Sequence, residues 1–122
     1  MFSHQQYMDE RLHINVSAVD YDKTSKAMIR QLSLLEEMVH SEESFVMTDS
    51  EFAFGWHFFV LSVNISLIQK LMEMMGPDFE KLKGKTTGKK FLTWLTNHLD
   101  GKSPRFKLAI KEEMESSKFG IF

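Results

Sequence analysis

The sequence predicts an all-α fold: a compact bundle of four or five helices, with a long central helix at about 49–75 and a short N-terminal extended arm. Three observations predict it. An almost unbroken apolar run extends from Phe52 to Met75 and meets a strong stop at Gly76-Pro77. Met28, Leu32, Leu35 and Val39 recur at spacings of four, three and four, which is one helical stripe. Phe91, Leu92, Leu95 and Leu99 form a second stripe of the same kind.

Taken in order, the elements begin with a short helix start. Ser3 and Gln6 stand at capping-box positions, with Phe2 and Tyr7 as the hydrophobic staple. Leu12, Ile14, Val16 and Ala18 then alternate with His13, Asn15 and Ser17, a period-2 pattern that reads as a strand or extended arm. A lone strand needs a partner, supplied here by a second subunit or replaced by an ordered arm. Asp20 or Asp22 caps a helix of about 22–41, whose stripe is widened by Ile29, Leu34 and Met38. Its C-terminal end carries Glu36, Glu37, Glu42 and Glu43, read as a solvated acidic face.

Thr48 with Glu51 forms a capping box and Met47 with Phe52 a staple, which opens the central helix. At 1.5 Å per residue that helix is about 40 Å long. Its polar stripe, Ser62, Ser66, Gln69 and Glu73, is expected to face solvent, and Phe54, Phe58, Leu61, Ile65 and Leu71 to be buried. Pro77 to Leu82 makes one helical turn, and 83–88 is a basic loop. Thr87 caps a helix of about 88–99, which Asp100-Gly101 ends. Ser103-Pro104 starts a last helix with Phe106, Ala109, Ile110 and Met114 on its apolar face and Gly120 at its end.

Length fits one domain, 1–122, and 43% hydrophobic residues suffice for a core. The absence of cysteine excludes disulfides, thiolate metal sites and cysteine nucleophiles, and suits a reducing cytoplasm. Residues 1–15 contain Asp9, Glu10 and Arg11 and lack an apolar core, so no secretory signal is expected. The most apolar stretch, Phe52 to Ile68, is shorter than the roughly 20 residues that span a bilayer and contains His57 and Asn64, so no membrane association is expected.

Charge is uneven. Residues 1–75 hold 5 Lys/Arg against 11 Asp/Glu, and residues 76–122 hold 10 against 6. Lys81, Lys83, Lys85, Lys89, Lys90, Lys102, Arg105 and Lys107 crowd the 81–111 region with Phe91, Trp94 and Phe106 among them, a pattern that suits contact with an anion or nucleic acid. Lys89 and Lys90 stand in a first helical turn, where the dipole prefers acids. The loop from Gly84 to Lys90 lacks the glycine spacing and preceding strand of a phosphate loop, so no nucleotide triphosphate is expected.

Glu10-x-x-His13 and Glu37-x-x-His40 each match half of a carboxylate di-metal site, but the further carboxylates are wanting and no metal or other cofactor is expected. His57 and Asn64, seven residues apart on one side of the expected helix, read as a buried polar pair or pocket. No nucleophile motif or carboxylate pair accompanies them, so no enzyme activity is expected. Eleven Phe and nine Met suit both a core and an adaptable contact surface. The sequence thus points to a non-enzymatic helical protein, acting by binding a protein partner or by assembling with itself as a homodimer. The alternative is a small helical subunit that contacts nucleic acid through 81–111.

Overall fold

Residues 10–112 are described by the structure, a computed structural model. The alternation at the start of the chain does produce a strand, β1 (Arg11–Ala18). Its even-numbered residues Ile14, Val16 and Ala18 are buried. It runs down the middle of a sheet rather than forming an arm. The chain continues through α1 (Tyr21–Val39), β2 (Phe45–Met47), β3 (Glu51–Ala53), β4 (Trp56–Asn64), α2 (Ile65–Met75), α3 (Pro77–Glu80), α4 (Thr87–Leu99) and β5 (Phe106–Ile110). The expected caps and stop at Phe2 to Tyr7 and at Gly120 lie outside the described residues.

The all-α expectation is therefore corrected to an α/β fold. β4 pairs antiparallel with β1, β1 with β5, and β2 and β3 both pair with β4. The order is β2-β4-β1-β5, with β3 continuing the edge begun by β2. Two strand–helix–strand crossovers are interleaved, which is the split βαβ connectivity. In register, Ile14 stands opposite Leu61 on one side and Ile110 on the other. Val16 stands opposite Phe59 and Leu108. Those residues point at the helices, and Met28, Leu32, Leu35, Leu67, Leu71, Phe91, Leu95 and Leu99 pack down on them.

The long central helix does not form. Residues 51–53 and 56–64 are strands, and only Ile65–Met75 is helical. Thr48 does not cap a helix. Its Oγ1 accepts from Val60 N–H at 2.9 Å and its own N–H donates to Val60 O at 3.0 Å, so it bridges the break between β2 and β3. Phe54 and Gly55 form a two-residue hairpin loop between Ala53 and Trp56, with φ of 55° and 83°. Both central residues of a type I′ turn require that sign.

The expected burial on this segment splits accordingly. Leu61 and Leu71 are fully buried, Ile65 is half-buried, and Phe54 and Phe58 are exposed. Gln69 and Glu73 face solvent on α2, whereas Ser62 is buried on β4. A strand's period of two puts Phe58 and Leu61 on opposite faces, where a helix would have set them together.

The last helix is corrected too. Phe106, Leu108 and Ile110 alternate with Lys107 and Ala109 along β5. The other boundaries follow local chemistry. Asp20 accepts from Lys23 N–H to cap α1, and Thr86, not Thr87, accepts from Lys89 N–H to cap α4. Gly76 ends α2 and Pro77 opens α3. Among the described residues no helix is long and apolar enough to cross a membrane.

Candidate protein-contact surface

The basic residues of 81–111 do not form one track; they divide among three places. Lys83 and Lys89 line a cavity of about 410 Å³ whose floor is Leu92, Leu108 and Ile110. Lys90 turns back instead, and its Nζ donates to Glu80 O and Leu82 O at 2.9 Å each. It thereby satisfies carbonyls at the end of α3, a structural task. Lys81 pairs with Asp78 at 3.8 Å, and Lys85 is exposed in the loop.

Lys102 belongs to a second place. It lines a groove of about 520 Å³ with Lys23, Lys26 and Arg30 of α1, over Ala27, Gln31 and Leu34. A partly buried hydroxyl pair, Thr24 Oγ1 to Ser103 Oγ at 2.8 Å, fixes the loop carrying Lys102 against α1. Lys107 lies on the sheet face away from the helices, 5.5 Å from the centre of the Trp56 ring, in cation–π contact. Arg105 is exposed, and its carbonyl accepts from Val19 N–H. The three α1 cations escaped sequence reasoning because the acids at the other end of that helix dominated its charge. Their spacing at 23, 26 and 30 was the available signal.

His57 and Asn64 are not a pair. Seven residues along a strand is an odd number, so they fall on opposite faces and about 23 Å apart. His57 sits on the helix side, against Phe52 at 4.7 Å and Tyr21 at 6.1 Å between ring centres. Its Nδ1 is buried and has no hydrogen-bond partner among the described residues. Asn64 stands at the N-cap position of α2, and its Oδ1 is likewise buried and has no partner among the described residues. It borders a polar cleft with Glu36, His40, Ser41, Ser44 and Lys70. Glu10 and His13 lie at the start of β1, and Glu37 and His40 at the end of α1.

The surface that sequence reasoning missed is the β3–β4 hairpin. Phe54 at its tip is 97% exposed; behind it Phe52, on the face it shares with His57, is 65% exposed, and Phe58, on the opposite face, is 41% exposed. A type I′ turn favours Asn, Asp or Gly at both central positions. A phenylalanine there carries a conformational cost of roughly 1–2 kcal/mol and leaves a whole aromatic ring in water. Acidic side chains flank Phe58 on its face: Glu51 stands directly opposite it, and Asp49 lines the same depression. Anionic phosphates are repelled from such a face, whereas an apolar pocket edged with cations complements it. Compared with protein families, with curated proteins and with solved structures, the chain matches none.

Proposed function

We propose that this protein is a non-enzymatic binding module that docks on another protein through the β3–β4 hairpin. One observation carries the reading: Phe54 is held in a left-handed conformation with its ring exposed, an arrangement that costs the fold stability and supplies it no buried contact. Phe52 on one face of the hairpin and Phe58 on the other widen the apolar area around the tip, and Asp49 and Glu51 add a polar edge on the Phe58 face. The partner it fits has an apolar pocket with basic residues at the edge. The nucleic-acid alternative has less support, because the 81–111 cations point to separate places.

A photo-crosslinking amino acid of phenylalanine shape, placed at position 54 in the native host, tests the reading. A discrete protein adduct at position 54, missing when the same probe replaces exposed Thr96, supports it. The same adduct pattern at both positions overturns it.

A further inference from the structure

The outward face of α1 is electrically divided along its length. Lys23, Lys26, Arg30 and Glu37 fall within about 60° of arc at 100° per residue. All four side chains are exposed. The cations occupy the first half of the helix. Glu37 and the exposed Glu42 and Glu43 just beyond the helix occupy the other end. Flanking this stripe are Ile29, Leu34 and Met38, at 46%, 44% and 53% exposure. These are large apolar side chains on a helix whose other side already supplies the core. Among the described residues, neither Arg30 nor Glu37 has an ion-pair partner. Lys26 bridges to Asp22 at 3.1 Å, and Lys70 donates to Ser41 beside the acidic end, so the division is softened at its extremes and sharpest at its centre.

A surface that is positive at one end and negative at the other is complementary to itself under a two-fold rotation that reverses its direction. We propose that two copies of this chain pair antiparallel through α1, Arg30 of each meeting Glu37 of the other across a two-fold axis beside Ser33 and Leu34. The spacing fits. Residues 30 and 37 are about 10 Å apart along the axis, so each lies about 5 Å from the midpoint and the two contacts form together. Lys23 then faces the acidic loop at Glu43, and Leu34 of one copy lies near Leu34 of the other. Burying Ile29, Leu34 and Met38 supplies the attraction, and the charges set direction and register. This surface is separate from the hairpin, so each copy keeps its tip free.

Sedimentation equilibrium at micromolar concentration is the test, with the protein, R30E, E37R and an equimolar mixture of the two variants. The protein is expected to dimerise, and each reversal to weaken the dimer about tenfold by setting two like-charge contacts face to face. The mixture is expected to recover the dimer, because both contacts in the mixed pair are again opposite in sign. The chain has no cysteine, so L34C also reports on the axis: disulfide-linked dimers are expected on mild oxidation. A monomer at these concentrations overturns the proposal. So does a dimer indifferent to both reversals, or single-stranded nucleic acid binding lost in R30E with no change in self-association.

Discussion

His13 Nδ1 on β1 lies 2.7 Å from Glu112 Oε2, tying the middle strand of the sheet to the residue two places beyond its edge strand. The contact holds Glu112 below the ordinary carboxylate value of 4.5. Partial burial is the largest single influence and pushes upward, but the hydrogen bond from the His13 ring, backbone hydrogen bonds and the His13 charge together outweigh it. A carboxylate lowered on folding stabilises the folded chain above its unfolded value and loses that contribution as pH falls through the folded value. The stability gap between the protein and Glu112→Gln is therefore expected to be full above about pH 4.5 and to close below it. Denaturant titrations at several pH values read it. Both groups are substantially exposed, so the gap is small.

The parity of β4 gives a second expectation. Leu61 is fully buried opposite Ile14, and Phe58, three residues earlier, faces away from the helices. Leu61→Ala should cost about 2–5 kcal/mol. Phe58→Ala should cost far less, although its side chain is larger. Equal losses in chemical denaturation would mean that β4 does not alternate as described.

Gly84 marks a close approach of backbones. Its φ is +133°, and a Cβ built there would lie 2.8 Å from Lys89 Cβ and 2.9 Å from Lys90 N. The loop is held down on α4 by Thr93 Oγ1 donating to Lys83 O at 2.8 Å and by the Lys90 bonds. Gly84→Ala is expected to destabilise by about 1–3 kcal/mol and to loosen the cavity edged by Lys83 and Lys89. A thermal melt matching the parent would contradict this.

Half of this architecture was legible in the residues. β1, α1, the turn at Pro77 and α4 all follow from a single period with a cap or stop at its ends. The failure lay at Phe52 to Met75, where strand gives way to helix at Asn64 with no glycine, proline or charged residue between them. Phe59, Leu61 and Val63 of β4 run directly into Leu67, Ile68 and Leu71 of α2, all buried, so the change of period from two to 3.6 is masked. Thr48 and Glu51 imitate a capping box because a hydroxyl that closes a gap in a sheet edge is the same residue that would cap a helix. Phe54-Gly55 was the overlooked signal, a residue-glycine turn between aromatic residues that alternate. On β5, Phe106, Leu108 and Ile110 carried a period of two that Ser103-Pro104 obscured. Of the candidate site, Lys102 was found without its companions on α1, whose partnership depends on the Thr24–Ser103 contact across 79 residues.

The most direct measurement replaces Phe54 by Asn and reads two quantities on the same protein. Asn suits the left-handed turn position, so Phe54→Asn is expected to raise stability by about 1 kcal/mol. Its affinity for the protein cross-linked at position 54 is expected to fall at least tenfold, because the anchor ring is gone. Higher stability with lost binding is the result this account predicts. Unchanged binding, or a fold that weakens when Phe54 is removed, would contradict it.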